Sequence, residues 1–291
     1  MNSDLKFSRI IAGAMTWGQG GRRLSTPEMT GLIGHCMELG IHTFDHADIY
    51  GGYTTEEAFG KAFAQSGIAR DAVQMISKCG IQYPSAARPL QVKHYQYDRA
   101  YILWSAEQSL QKLGTEYLDL LLLHRPSPLM DPTEVAAAFE ALSRSGKVRA
   151  FGVSNFTPSQ IALIASAAPV EAHQFECSLT AREALFDGVL DDCLQHGRLA
   201  MAWSPLGSYF REASEAKARI DVVFETLKSK YEASENQLLL AWLMKHPAMI
   251  HPVVGTTRPE RLKESLDATG ITLELQDWFT LLEAAQGHKV P

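Results

Sequence analysis

The 291-residue chain has four cysteines, Cys36, Cys79, Cys177 and Cys193, and no two form a CxxC pair. That spacing argues against a disulfide framework or a zinc site and fits reduced thiols in a cytoplasmic protein. No run approaches the ~20 apolar residues that a membrane span needs. The start, Met1 to Arg9, is polar and has no apolar stretch of the secretory-signal kind, so a cytoplasmic location is expected. Positive charge is not in excess either. The 27 Lys and Arg face 33 Asp and Glu, a net charge of −6, without basic runs. Such a chain is a poor partner for nucleic acid or an anionic membrane, and any anion site must be local. Linker-like composition shifts and low-complexity tracts are missing, which points to one domain. With 46% hydrophobic and 21% charged residues, the chain can bury a sizeable core.

What recurs is a short apolar run followed by an amphipathic stretch. The runs are 10–16, 42–47, 73–77, 118–124, 150–154, 172–176, 199–204 and 250–255. They lack polar/apolar alternation, as expected of parallel strands covered on both faces. Between them lie helix starts. Thr26-Pro27-Glu28 and Asp131-Pro132 each place a capping side chain before a proline preset for the first helical turn. Val135, Ala138, Phe139 and Leu142 then fall on one helical face. Thr157 with Gln160, and Thr257 with Glu260, fit the capping-box spacing, and Gly146 marks a helix end. Eight strand–helix cycles predict a single-domain α/β fold, the (β/α)8 barrel. The rival, an open doubly wound sheet, usually shows G-x-G-x-x-G after its first strand. Here Gly18-Gln19-Gly20-Gly21-Arg22-Arg23 puts arginine at the last glycine, and no P-loop occurs.

Barrel chemistry sits where strands end on the C-terminal side. Asp45 and Tyr50 follow the second strand, Lys78 ends the third and His124 ends the fourth. Singly, each has an ordinary structural explanation. Together, at three successive strand ends, they form a proton-transfer group. A lysine ammonium stabilises a phenolate and so lowers a tyrosine from its ordinary value near ~10. A carboxylate keeps that ammonium charged. A neutral histidine can orient a carbonyl oxygen while the tyrosine protonates the developing alkoxide. His42 and His46 flank Asp45, but neither H-x-H nor H-E-x-x-H is present, so a metal site is not expected.

Four segments carry a closer likeness: 44–51 (Phe-Asp-His-Ala-Asp-Ile-Tyr-Gly), Leu118-Asp119-Leu120 leading to His124, 152–156 (Gly-Val-Ser-Asn-Phe), and 203–207 (Trp-Ser-Pro-Leu-Gly). In this order, with further matches from Gly13 to about Ser265, they resemble the aldo-keto reductase family. The resemblance implies a (β/α)8 barrel, a catalytic tetrad of Asp45, Tyr50, Lys78 and His124 with Tyr50 as proton donor, and a nicotinamide cofactor. Ser154, Asn155 and Gln174 match the residues that hold the nicotinamide carboxamide, and Trp203 matches the aromatic position that stacks on the ring. Gly13, Thr16, Ser204, Pro205, Leu206, Gly207, Gly255, Thr256, Thr257, Glu264 and Ser265 complete the implied cofactor contacts. Arg258 and Arg261, beside a helix N-terminus, suit the extra phosphate of NADP, with NAD the alternative. Gly255 stands where many members carry lysine, and Ser265 where many carry asparagine.

The expected activity is NADPH-dependent reduction of a small aldehyde or ketone, by a monomer. Trp17, Tyr50, Tyr53 and His124 are the candidate pocket residues. The loops 81–98 and 208–219 and the tail 277–291 are expected over the mouth, with Tyr83, Tyr95, Tyr97, Tyr209, Phe210 and Trp278 as aromatic walls. Two other readings are a Schiff-base aldolase acting through Lys78 and a nucleotide-binding, redox-sensing subunit with little turnover.

Overall fold

In a computed structural model describing residues 6–290, all eight apolar runs become strands of one barrel. The strands of the molecule are β1 (Ile11–Gly13), β2 (Thr43–Asp45), β3 (Gln74–Cys79), β4 (Ile81–Gln82), β5 (His94–Tyr95) and β6 (Leu120–Leu123). They continue with β7 (Phe151–Ser154), β8 (Ala172–Glu176), β9 (Leu199–Trp203) and β10 (His251–Val254). The barrel closes in the order β1-β10-β9-β8-β7-β6-β3-β2, and every pairing within it is parallel. The helices are α1 (Thr26–Glu38), α2 (Tyr50–Tyr53), α3 (Thr55–Ser66), α4 (Arg99–Leu113), α5 (Pro132–Arg144) and α6 (Pro158–Ala165). After them come α7 (Val189–His196), α8 (Glu215–Tyr231), α9 (Glu235–Met244), α10 (Pro259–Asp267) and α11 (Leu275–Gln286). No described helix is long and apolar enough to cross a membrane.

The barrel interior is a small cluster of its own: Ile11, Ile76, Leu120, Leu122, Ala150, Ala172, Met201 and Val253. A strand turns successive side chains to opposite faces, so residues two apart share a face. Lys78 therefore follows Ile76 on the inner face, His124 follows Leu122, and Gln174 follows Ala172. The polar site is the top of the same stack whose lower layers are aliphatic. Outer-facing residues such as Phe44, Met75, Leu121 and Val153 pack beneath the helices instead.

The helix starts were legible to within a residue. Asp131 caps α5 by accepting from the Thr133 amide at 2.8 Å, and the buried face of α5 is Val135, Ala138, Phe139 and Leu142, as the spacing predicts. Thr157 and Gln160 form their capping box, and Gly146, at φ 73°, follows the end of α5. The cap of α1 is Ser25, not Thr26, with the Ser25 amide donating to Glu28 at 2.8 Å. Thr257 forms no capping box, because the N-cap of α10 is Arg258 and has no side-chain cap.

Two features escape the apolar-run reading. The antiparallel hairpin β4–β5 pairs Ile81 with Tyr95 and Gln82 with His94, from strands of only two residues each. The other is the outward commitment of the tail. Trp278 of α11 stacks on Trp242 of α9 with centroids 4.9 Å apart, and each indole N–H donates to the other's carbonyl, at 3.1 and 2.9 Å. Trp278 is thus a fastening between outer helices, and the helical part of the tail lies against α8 and α9. Tyr209 is likewise buried, against Phe224 and with its hydroxyl on Asp221, so neither ring is a mouth wall.

One glycine is indispensable here. Gly80, at φ 114°, lies against the Tyr97 ring, and a Cβ there would come within 2.1 Å of it. Gly80→Ala should cost more than the ~1–2 kcal/mol of a left-handed backbone alone. By contrast, Gly31 in α1 has open space around its Cβ position. Gly31→Ala should therefore stabilise by about 0.5–1 kcal/mol. Denaturant midpoints of the two variants should shift in opposite directions; a shared direction would contradict this account.

Candidate active site

The structure brings the four expected side chains together. The Lys78 ammonium donates to both oxygens of Asp45, at 2.8 and 2.7 Å, to the His46 carbonyl at 2.8 Å and to the Tyr50 hydroxyl at 3.0 Å. Lys78 and Asp45 are 1% and 2% exposed. Gln174 closes the group from the far side by donating to Asp45 at 2.9 Å. The rings of Tyr50 and His124 meet edge to face, 6.2 Å apart at 80°. Tyr50 reaches this place because the chain turns sharply after it: Gly51, Gly52 and Tyr53 have φ of 59°, 66° and 71°. A Cβ on Gly51 would lie 2.4 Å from the Thr55 hydroxyl, so the turn needs glycine there.

Burial and charge assign the protonation states. Burial pushes Lys78 down, but the Asp45 carboxylate and the hydrogen bonds to Asp45 and Tyr50 more than reverse it and the amine stays protonated. An amine so held offers no free lone pair, which disfavours the Schiff-base reading. Burial pushes the Tyr50 hydroxyl up, and Lys78 offsets this only in part, so Tyr50 lies above its ordinary value. The expectation of a lowered tyrosine is therefore reversed in the isolated chain: desolvation outweighs the ammonium. Burial, then Lys78, Arg125 and Lys93, hold His124 well below its ordinary range, and the imidazole is neutral. Its Nδ1 is buried and has no partner among the described residues.

A second polar layer, unforeseen in the sequence reading, lies beside the tetrad. Asp48, 2% exposed, accepts from Ser105 at 3.2 Å and Tyr101 at 3.4 Å, and Arg88 stands 3.8 Å away. Buried Glu56 accepts from Ser77 at 2.6 Å. Arg88 also lies 3.9 Å over the Tyr53 ring and donates to Gln82 at 2.6 Å, tying the loop 81–98 to the turn after Tyr50. No local sequence pattern marks this layer, because Asp48 and Glu56 stand among other polar residues such as Asp45, Thr54, Thr55 and Glu57. Burial, followed by the charge of Glu56, pushes Asp48 up to about 7.

Two candidate pocket residues are placed elsewhere. Trp17 is 0% exposed and packs edge-on against Phe44 and against Phe59, so its ring belongs to the core. Tyr53 is 5% exposed, stacked on Tyr83 at 5.1 Å and covered by Arg88. Its ring braces the loop 81–98. Tyr50 follows β2 and His124 follows β6, with their rings in contact.

The cofactor candidates form two groups. At the ends of β7 and β9, Asn155 donates to the Ser154 hydroxyl at 2.7 Å and accepts from the Trp203 indole at 2.8 Å. Asn155 and Ser204 both hold left-handed backbone, at φ 61° and 48°, and the turn Ser204-Pro205-Leu206-Gly207 closes through a Gly207 amide to Ser204 carbonyl bond of 2.7 Å. Across the rim, Gly13 pairs with Asp45, and the Thr16 hydroxyl donates to the Gly255 carbonyl at 2.5 Å. Thr256 accepts from the Arg258 amide at 3.2 Å, and Thr257 is half-buried beside it. The guanidiniums of Arg258 and Arg261 are exposed and have no ion-pair or hydrogen-bond partner among the described residues. Glu264 is engaged by Ser234, and the buried Ser265 hydroxyl donates to the Arg261 carbonyl, so these two side chains brace α10. Among the described residues, no cluster of three or more His, Cys, Asp or Glu is placed to hold a metal ion.

Fold and site together define a barrel oxidoreductase, and the chain belongs to the aldo/keto reductase family, whose model matches residues 9–285. The chain is 42% identical to an "Uncharacterized oxidoreductase YcsN" of Bacillus subtilis, over 99% of this chain and 97% of the relative. It is 38% identical to a 6-dehydroglucose reductase of Agrobacterium fabrum, over 100% and 98%. Among solved structures it is similar to the thermostable aldo-keto reductase Tm1743, with 28% identity, a TM-score of 0.82 and 97% of each chain covered.

Because the buried Asp48 ionises only near 7, stability is fullest below the ordinary carboxylate range and falls as the pH rises through 7. Asp48→Asn removes that fall. Its stability relative to the parent protein should grow by a few kcal/mol between about pH 4 and pH 8 and then level off. Thermal unfolding across pH measures this; a constant difference would contradict it.

Proposed function

We propose that the protein is a cytoplasmic, NADPH-dependent carbonyl reductase that converts a small aldehyde or ketone to the alcohol. The observation that carries this reading is the Lys78 ammonium, held by Asp45 and placed 3.0 Å from the Tyr50 hydroxyl, with neutral His124 across the Tyr50 ring. His124 donates to the carbonyl oxygen and orients it. Tyr50, kept protonated by its own burial, hands its proton to that oxygen as negative charge builds there. Lys78 stabilises the phenolate left behind. Asp45 holds the ammonium in place throughout, so little reorganisation accompanies the transfer.

The residues present suit a nicotinamide dinucleotide, which would supply the hydride. The uncapped N-terminus of α10 and the two unpaired guanidiniums of Arg258 and Arg261 suit a phosphate. The bonded trio Ser154, Asn155 and Trp203 offers polar groups and an aromatic face for the amide-bearing ring. The name borne by two relatives, 6-dehydroglucose reductase, supports an oxygen-rich carbonyl compound as substrate.

Tyr50→Phe should lower kcat by about 10²–10⁴-fold while NADPH still quenches tryptophan fluorescence. Retained turnover would remove Tyr50 as the proton donor. Arg258→Ala and Arg261→Ala should each weaken NADPH binding roughly tenfold and leave NADH binding nearly unchanged, as read by fluorescence titration. An equal loss for both cofactors would overturn the NADP assignment.

A further inference from the structure

Arg125 directly follows His124 and is absorbed by none of the roles above. Its backbone is fixed twice. Pro126 restricts it to extended conformations. The Tyr97 hydroxyl also clamps it, donating to the Arg125 carbonyl at 2.5 Å and accepting from the Arg125 amide at 3.1 Å. Tyr97 is itself buried, seated against Gly80 where no Cβ would fit. From this anchor at the end of β6 the guanidinium carbon lies 5.6 Å from the centre of the Trp203 ring, whose indole is held by Asn155 at the end of the neighbouring strand β7.

The guanidinium has no carboxylate within ion-pair distance among the described residues, although acids outnumber bases in the chain. Lys78, by contrast, is held in an ion pair with Asp45. The charge of Arg125 also lowers Glu176 at the end of β8, yet the two form no ion pair. Arg125 is also the residue next to His124 in the chain, and its charge is one of those that hold the imidazole neutral. The half-buried guanidinium presents five N–H donors in a planar fork, and among the described residues none of them meets a protein acceptor, which leaves them open to a ligand in place of water. An alkyl aldehyde would leave them unmet, whereas a carboxylate or adjacent hydroxyls would meet two at once.

We propose that Arg125 is a specificity-determining residue that receives an oxygen-rich substituent, a carboxylate or vicinal hydroxyls, carried by the carbonyl substrate next to the Tyr50–His124 site. This rests on the carbonyl-reductase reading and names the substrate class for it. Succinic semialdehyde, DL-glyceraldehyde and butanal separate the cases, because butanal lacks both kinds of oxygen. In the parent protein kcat/KM for at least one oxygenated aldehyde should exceed that for butanal. Arg125→Met should collapse that ratio by tenfold or more. Arg125→Lys, which keeps the charge but not the fork, should restore the ratio for succinic semialdehyde better than for glyceraldehyde. A ratio unmoved by Arg125→Met overturns the proposal. So does a loss of NADPH affinity matching the loss of kcat/KM, which would place Arg125 in the cofactor site. Binding of succinate and of glycerol to the NADP⁺-loaded protein, followed by tryptophan fluorescence, decides the question without turnover. Weakening of either by Arg125→Met sustains the subsite even if no aldehyde is reduced, whereas equal binding to both forms rejects it.

Discussion

The structure turns on one buried ion pair. Lys78 and Asp45 come from neighbouring strands and are almost wholly withdrawn from water. Such a pair holds only if its remaining donors and acceptors are met. Each partner's spare bonds therefore dictate what surrounds it. The ammonium takes the His46 carbonyl and the Tyr50 hydroxyl, and the carboxylate takes the Gln174 amide. Three strands and the turn after β2 are tied together by one charge couple, and the same couple holds the Tyr50 hydroxyl, the proposed proton donor.

Electrostatics then separates three titratable groups that lie close together. The amine is kept charged, the phenol protonated and the imidazole neutral. In the proposed reaction, a general acid that stays protonated until charge develops on the substrate is useful only if its conjugate base can be stabilised on demand, and the ammonium lies 3.0 Å away. The high resting value of Tyr50 and the fixed position of Lys78 are thus complementary: one holds the proton back, the other makes its loss feasible.

Strand–helix alternation carried the fold in the sequence, because both faces of a parallel sheet are buried and the runs stay apolar to their ends. Lys78 and His124 were legible for a related reason: each falls two residues after an aliphatic lining residue at the end of its strand and so continues the inner face. Other features depend on contacts distant in the sequence. Arg88 with Asp48, Tyr97 with Arg125 and Trp242 with Trp278 have no local pattern. The large aromatics misled for a physical reason. Trp17 and Tyr53 lie near the rim in sequence, but each buries its ring against neighbours that spacing does not reveal. The cap of α1 shifted by one residue because Ser25 forms the box with Glu28, and at α10 the N-cap position falls on Arg258, which caps with no side chain.

The pairing of β1 with β10 has a bearing on how the molecule is made. Ile11 lies beside Val253, so strand neighbours in the finished barrel are separated by most of the chain. The tetrad belongs to the portion synthesised first, ending at His124. The turn 204–207 and the Arg258–Arg261 rim leave the ribosome much later. The Gln174 bond to Asp45 joins the early half to the late one. A nascent chain carrying all four proton-transfer residues would still present an open sheet, with β1 unpaired on one side, until the last strand arrives to close it.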